Sequence, residues 1–92
     1  MDLAVSIVSY RTPDPLVSCL TALEQQRADL DLDVTVVDNA SGDGSADLVA
    51  ERFPRVHLVR NARNVGFGAA HNQTLRQVAT RATPLVAYLG LG

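Results

Sequence analysis

Short apolar runs alternate along this chain with segments whose apolar residues recur at helical spacing, and this alternation is what most constrains its fold. Four runs rich in β-branched residues predict buried strands, at Leu3–Val8, Val34–Val37, Val56–Val59 and Leu85–Leu89. Three segments between them predict helices, from Pro15 to about Gln26, over about Ala46–Phe53, and from about Gly68 to Arg81. Strands that alternate with helices run parallel and are joined by right-handed crossovers. The sequence therefore predicts an α/β layer fold with helices on both faces of a parallel sheet.

The helix boundaries are predicted from capping residues and prolines. Asp14 is the expected N-cap acceptor ahead of Pro15, and Asp43 or Ser45 is expected to cap the second helix. Pro84 is expected to end the third helix, because a proline disfavours helical backbone at the residue before it. The apolar stripe of that helix is assigned to Ala70, Leu75, Val78 and Ala82. This stripe is expected to face the sheet.

Charge and composition exclude several classes of protein. A net charge of −2 and a pI near 5.5 argue against a nucleic-acid binder, which needs a basic surface. No apolar run approaches the ~18 residues of a membrane-spanning helix. Cys19 is the only cysteine, which excludes an internal disulfide and a cysteine-based metal site. We therefore expect a soluble protein of the reducing cytoplasm.

Polar side chains are concentrated where the predicted strands end. They follow the first strand at Ser9, Tyr10 and Arg11, the second at Asp38, Asn39 and Ser41, and the third at Arg60, Asn61, Arg63 and Asn64. Because parallel strands end at one edge of a sheet, these loops are expected to converge where such sheets bind ligands. Asp38 is equally consistent with a turn residue and with an acceptor for a ligand hydroxyl or ring N–H. Taken singly, His71 is more typical of a helix histidine whose polar atoms are satisfied by solvent or backbone, and Arg60 and Arg63 of solvated loop charges.

A dinucleotide-binding domain is an alternative, because it also carries an acidic residue after its second strand. Its phosphate loop needs three glycines directly after the first strand, where the backbone approaches the pyrophosphate. Here that loop reads SYRTPDP, with two prolines and no glycine, and the later GFG lacks a third glycine. The sequence therefore disfavours a small oxidoreductase domain of this class.

Three stretches together resemble glycosyltransferase family 2. They are VSIVSYRTPDPLVSCLTAL, VTVVDNASGDGSADLV and NARNVGFGAAHNQTL, in the family's order and spacing over nearly the whole chain. The chain is most similar to the bacterial rhamnosyltransferase-like branch, which builds cell-surface polysaccharides. The resemblance implies a Rossmann-like parallel sheet with helices on both faces, the N-terminal half of the GT-A nucleotide-diphospho-sugar transferase fold.

The resemblance also implies a nucleotide-sugar site. The family's Ser-Tyr pair, here Ser9 and Tyr10, lines the nucleobase pocket, and the acid matching Asp38 accepts a hydrogen bond from the pyrimidine ring. The segment 64–67 lies beside the nucleotide, and His71 stands where many members carry a nucleotide-contacting arginine. The implied nucleotide-sugar-binding set is Ser9, Tyr10, Asp38, Asn39, Asn64, Gly66, Phe67, His71 and Asn72. No catalytic residue and no metal ligand is assigned within the chain.

The family's reaction transfers a sugar from a nucleoside diphosphate, here UDP- or dTDP-linked, to a hydroxyl of a saccharide or lipid-linked acceptor, with inversion. It looks like general-base catalysis assisted by a divalent metal, Mg or Mn. In relatives the metal-binding acidic motif and the base follow the fourth strand, whereas this chain reads LGLG there and has no acid after Glu51. Residues 1–92 are therefore expected to be one partial domain, the nucleotide-sugar-binding half of a glycosyltransferase, inactive alone.

Further expectations concern the surroundings of this partial domain. An unfinished sheet leaves an edge strand open, which favours self-association through that edge. The full-length enzyme is expected in the cytoplasm, at the inner face of the membrane. The alternative is a non-catalytic α/β module, complete at this length, that binds a nucleotide or a protein partner.

Overall fold

The computed structural model describes residues 3–27, 29, 31–79 and 86–91, which form four strands and three helices. The strands are β1 (Leu3–Ser9), β2 (Leu32–Asp38), β3 (His57–Arg60) and β4 (Val86–Leu91). The helices are α1 (Pro13–Gln26), α2 (Ser45–Arg52) and α3 (Phe67–Ala79). The alternation of strand and helix is as predicted, and the boundaries are shifted by a residue or two.

The four strands form one parallel sheet in the order β3-β2-β1-β4. β1 pairs with β2 along its whole length, ending with Ser9 opposite Asp38. β4 pairs with the other side of β1, beginning with Ala4 opposite Val86. Because the strands are parallel, the loops after β1, β2 and β3 leave at the same edge, as the sequence predicts. The strand order switches between β1 and β4, since the chain passes through β2 and β3 before it returns to the other side of β1.

Different helices cover the two faces of the sheet, which confirms the predicted layers. Successive side chains of a strand point to opposite faces, so β1 contributes Val5 and Ile7 to one face and Val8 to the other. The face under α1 and α2 carries a buried apolar cluster of Val5, Ile7, Leu16, Leu20, Leu32, Val34, Val36, Val49 and Phe53. The face under α3 carries a smaller cluster of Val8, Val37 and Ala70.

The first helix begins at Pro13, which corrects the predicted N-cap at Asp14. Thr12 occupies the N-cap position; its side chain makes no capping hydrogen bond, and its carbonyl accepts from the backbone N–H of Leu16 at 3.1 Å. Pro13 and Pro15 both fit the first turn, because the first N–H groups of a helix have no intrahelical partner to lose. Asp14 lies inside that turn, where its negative charge interacts favourably with the helix dipole.

The second helix begins at Ser45, and Gly44 occupies its N-cap position in place of the predicted Asp43 or Ser45. The Asp43 carboxylate nevertheless accepts a hydrogen bond from the backbone N–H of Ser45 at 3.0 Å. It therefore satisfies one of the donors that the first turn leaves without an intrahelical partner. The hydrogen bond from the Ser45 hydroxyl, and to a smaller extent that from the Ser45 backbone N–H, lowers the pKa of Asp43.

The apolar stripe predicted for α3 is wrong at Leu75, whose side chain is 42% exposed. The described residues of this helix that are buried are Ala70, His71 and Thr74. A helical repeat of 3.6 residues places Thr74 one turn after Ala70 and directs Leu75 toward solvent. The described part of α3 thus turns a largely polar face to the sheet. The remaining predictions for this helix lie outside the residues whose surroundings are described, namely Val78, Arg81, Ala82 and Pro84.

Candidate functional site

A cavity of about 490 Å³ opens at the carboxyl ends of β1 and β4, where the strand order switches. We call it the switch-point cavity. It is lined by residues of these two strands, of the loops after β1, β2 and β3 and of the start of α3, namely Val8, Tyr10, Asn39, Asn64, Gly66, Phe67 and Gly90. Its volume lies within the range of about 300–1,000 Å³ found for small-molecule sites. Parallel α/β sheets bind ligands at this position, outside the strand ends at a switch point.

Asn39, in the loop after β2, contacts the end of β1 and the loop between β3 and α3 at the edge of this cavity. Its backbone N–H donates to the carbonyl of Ser9 at 2.9 Å. Its side-chain oxygen accepts from the side-chain amide of Asn61 at 3.0 Å and from the backbone N–H of Val65 at 3.2 Å. Its side-chain amide donates to the carbonyl of Gly66 at 3.3 Å. Asn39 is itself buried, so it fixes the loop before α3 to the end of β2 and thereby shapes one wall of the cavity.

The turn into α3 forms a second part of the wall. Gly66 has a φ of 85°, a left-handed conformation that glycine adopts at no steric cost. The side-chain oxygen of Asn64 accepts from the backbone N–H of Gly66 at 2.8 Å. The carbonyl of Gly66 accepts from the backbone N–H of Ala70 at 3.2 Å. These bonds place the first residue of α3, Phe67, at the cavity.

Tyr10 and Phe67 supply aromatic surface to the cavity. The Phe67 side chain is 50% exposed, although it belongs to a residue type that is usually buried. The guanidinium carbon of Arg11 lies 5.0 Å from the centroid of the Tyr10 ring, within the range of a cation–π contact. Exposed aromatic faces in a cavity can pack against a planar ligand group.

Asp38 lies at the end of β2 with 7% of its surface exposed. Its Oδ1 accepts from the Ser41 hydroxyl at 2.6 Å, and the Ser41 oxygen accepts from the backbone N–H of Arg11 at 2.9 Å. Asp38 lines a second cavity, of about 580 Å³, together with the N-terminal part of α2 and the residues Arg60 and Asn61. Asp38 therefore organises the loops after β1 and β2 and also borders a cavity, which is consistent with both roles considered for it.

Three other residues of the implied set do not line the switch-point cavity. Ser9 is fully buried at the end of β1, and Asn72 is exposed on α3. His71 is buried under the sheet, where its Nδ1 lies 2.7 Å from the hydroxyl of Ser6 on β1. Its ring packs edge-to-face against Phe67 with a centroid distance of 4.4 Å. Burial lowers the pKa of His71, because a charged imidazole loses hydration there.

Val8 and Gly90 line the cavity but are not among the residues predicted from the sequence. In the sequence, Val8 is the last residue of a buried strand, and Gly90 is a departure from the family's pattern. The two residues lie opposite each other in the register of β1 and β4. These two residues could be predicted only from the strand order, because the ends of β1 and β4 flank the switch point once β4 is known to lie beside β1.

The described residues hold neither a metal-binding cluster nor a membrane-spanning helix. No group of three or more His, Cys, Asp or Glu side chains in these ranges is arranged to hold a metal ion. The described residues thus do not fit the divalent metal that the family resemblance implies for a full-length enzyme. None of the helices in these ranges has the length and apolar character that crossing a bilayer requires.

The parallel sheet, the helices on both of its faces and the cavity at the switch in strand order define a Rossmann-like α/β domain. The sequence profile of Glycosyl transferase family 2 matches residues 4–89, which is nearly the whole chain. The chain belongs to this family, and the resemblance inferred from its three sequence stretches is confirmed.

The curated relatives include N-acetylglucosaminyl-diphospho-decaprenol L-rhamnosyltransferase from two strains of Mycobacterium tuberculosis, CDC 1551 / Oshkosh and ATCC 25618 / H37Rv. Each is 31% identical to the chain over 80 residues, and the match covers 87% of the chain. The chain spans 26% of the length of these relatives. No solved structure shows significant similarity to the chain.

Proposed function

We propose that this chain is the nucleotide-sugar-binding half of an inverting glycosyltransferase. The switch-point cavity would bind a UDP- or dTDP-linked sugar for transfer to a hydroxyl of a saccharide or lipid-linked acceptor. The product would be part of a cell-surface polysaccharide, made in the cytoplasm at the inner face of the membrane. The Mg or Mn ion of the full-length enzyme would need ligands other than the described residues. The 92 residues contain no acidic residue after Glu51 that could supply the family's metal-binding motif or its catalytic base. Alone, they would bind a donor but not transfer its sugar.

The observation that carries the proposal is the position and lining of the switch-point cavity. Five residues of the implied set, drawn from three separate segments of the sequence, line this one cavity: Tyr10, Asn39, Asn64, Gly66 and Phe67. Their combination of aromatic surface and amide groups suits a planar base with polar edges. The name of the mycobacterial relatives refers to rhamnosyl transfer and to a decaprenol-linked compound, which supports a sugar donor and a lipid-linked acceptor.

Asp38 is proposed to accept a hydrogen bond from the ring N–H of the pyrimidine. Asp38 lines the second cavity and not the switch-point cavity, whereas its neighbour Asn39 lines the switch-point cavity. The base would therefore have to extend from the switch-point cavity past Asn39 to reach this carboxylate. A hydrogen bond to a charged acceptor is worth about 1.5–3 kcal/mol. We therefore expect Asp38→Ala to weaken UDP and dTDP binding by about 10- to 150-fold. NMR-monitored titration of the 92-residue chain measures this change even when the wild-type affinity is low.

A matched variant, Asp29→Ala, controls for the loss of one negative charge. Asp29 is exposed in the segment between α1 and β2, outside both cavities. Its replacement should leave both dissociation constants within about twofold, because exposed charges in high dielectric interact weakly with distant ligands. Equal affinity of wild type and Asp38→Ala would remove Asp38 from the site. A wild-type chain that binds neither nucleotide would refute the proposed function.

A further inference from the structure

We propose that the Phe67 ring is a preorganised aromatic wall of the switch-point cavity, and that Gly90 and His71 are positioning residues that hold this ring in place. The position of the ring follows from its contacts with Gly90 and His71. Its effect on a bound nucleotide rests on the proposed function. His71 acts through the ring, since it does not itself line the cavity.

Gly90 leaves the space into which the Phe67 ring extends. A Cβ atom at position 90 would lie 2.7 Å from Cε2 and Cζ of Phe67 and 3.1 Å from Cε1. Carbon atoms in favourable contact lie about 3.5–4.0 Å apart, so any side chain at this position would collide with the ring. The ring is the end of a half-exposed side chain, and it would therefore move before the backbone of β4 does. Glycine at position 90 is thus a condition for the observed position of the ring.

His71 supports the same ring from within α3. The two rings have a centroid distance of 4.4 Å and an interplanar angle of 72°, which is a favourable edge-to-face arrangement. His71 is anchored in turn, because its Nδ1 lies 2.7 Å from the hydroxyl of Ser6, a fully buried residue of β1. The Phe67 ring is therefore held between β4 on one side and a histidine fixed to β1 on the other.

A ring held in this way is preorganised for ligand binding. Half of the Phe67 side chain remains exposed, and the residue lines the cavity. A group whose rotamer is already fixed loses little conformational entropy on binding, so its contacts contribute more to affinity. The position of the ring also sets the width of the cavity next to Gly90. It therefore determines how closely a planar or apolar part of a nucleotide can approach the sheet.

The placement of the ring is tested by NMR on the 92-residue chain without any ligand. We expect nuclear Overhauser contacts between the ring protons of Phe67 and the Hα protons of Gly90. Gly90→Ala should abolish these contacts and shift the Phe67 ring signals, because the ring must move. Gly68→Ala is the matched control: a Cβ at Gly68 meets no atom within 4 Å, so the Phe67–Gly90 contacts should persist. Their absence from the spectra of the folded wild-type chain would overturn the proposal.

A double-variant cycle tests the effect of the ring on the ligand. Phe67→Ala should weaken UDP and dTDP binding by about tenfold, since stacking on one aromatic ring contributes about that much. Gly90→Ala should weaken binding severalfold in the wild-type background and change it less than twofold in the Phe67→Ala background. That non-additivity is the signature of a residue that acts through the ring. Equal effects of Gly90→Ala in both backgrounds would overturn the positioning role of Gly90.

The role of His71 is tested by His71→Gln, which keeps a polar side chain near Ser6 but removes the aromatic partner of Phe67. We expect the Phe67 ring signals to shift and nucleotide affinity to fall, with no fall in the Phe67→Ala background. Unchanged Phe67 signals in the folded variant would overturn the positioning role of His71. Failure of the wild-type chain to bind either nucleotide refutes the proposed function, whereas the ring contacts report on the placement of Phe67 without any ligand.

Discussion

The two faces of the sheet are built from the same strands but differ sharply in chemistry. The face under α1 and α2 carries nine buried apolar side chains in one cluster. The face under α3 carries three in the corresponding cluster among the described residues, and it also buries polar side chains. These are Ser6, Asp33, Thr35, His71 and Thr74.

The difference follows from the two-residue period of the strands. In β2, Val34 and Val36 point to the apolar face, while Asp33 and Thr35 point to the face under α3. The apolar face gains free energy from burial alone, which requires no exact partner for any group. The polar face depends on specific partners, such as the pair of Ser6 and His71. The comparison indicates that one face mainly stabilises the fold, whereas the other positions the groups around the switch-point cavity.

The strongest test of this division compares two leucines. Leu20 is buried in the apolar cluster, whereas Leu75 is 42% exposed on α3. Leu20→Ala should lower the free energy of unfolding by about 2–5 kcal/mol, because it leaves a cavity in a packed core. Leu75→Ala should change it by no more than about 0.5 kcal/mol. Urea unfolding of both variants measures the difference, and similar losses would show that α3 buries more apolar surface than its polar inner face suggests.

A second, smaller loss of stability is expected when the loop between β3 and α3 loses its hydrogen bonds to Asn39. Asn39→Ala removes the acceptor of Asn61 and Val65 and the donor to Gly66. Leaving buried polar groups without partners costs about 1–3 kcal/mol, so the variant should lose about 2 kcal/mol of stability. It should also weaken nucleotide binding, since Gly66 lines the switch-point cavity.

Asn72→Ala is the control for this second test, because Asn72 is an exposed asparagine of α3. Its stability should stay within about 0.5 kcal/mol of the wild type. If Asn39→Ala unfolds at the same urea concentration as Asn72→Ala, the loops are held by contacts other than the Asn39 hydrogen bonds.

The smallest effect expected is a dependence of stability on pH that arises from the polar face. Burial lowers the pKa of His71 from its ordinary value of 6.5, so below that value the unfolded chain binds a proton more readily than the folded chain. The contribution of neutral His71 is therefore fully present above pH 6.5 and is lost as the pH falls through its lower folded pKa. Urea midpoints measured from pH 7.5 downward should fall more steeply for the wild type than for His71→Gln. Parallel curves would mean that His71 does not titrate differently in the two states.

The layer structure could be predicted from the sequence because it depends on local patterns. Runs such as Val34–Val37 identify a strand wherever it lies in the fold, and alternation with helices implies the parallel sheet. The start of α1 was harder to predict, since Pro13 and Pro15 are both compatible with a first turn. Leu75 is wrongly predicted to face the sheet because periodicity assigns apolar residues to the buried stripe of a helix. Only the packing shows that Thr74 faces the sheet in its place.

The candidate site was less predictable, because its contacts join residues that are far apart in the sequence. His71 and Ser6 are 65 positions apart, and nothing local to either residue indicates the partner. The family resemblance implies a ligand contact for His71, whose ring in the structure packs against Phe67 and does not line the switch-point cavity. Whether the nine implied residues bind a nucleotide stays a prediction, which the titrations above address.

The central position of β1 has a consequence for how the chain acquires its fold during synthesis. β1 precedes the other three described strands in the chain, yet one of its two neighbours is β4, so Ala4 can pair with Val86 only after the intervening residues have been synthesised. Pairing so distant in sequence forms late and slowly, since the entropy of closing a long loop must be overcome first. One side of β1 therefore stays unpaired until β4 has been synthesised, and during that interval its backbone groups are open to pairing with a strand of another chain.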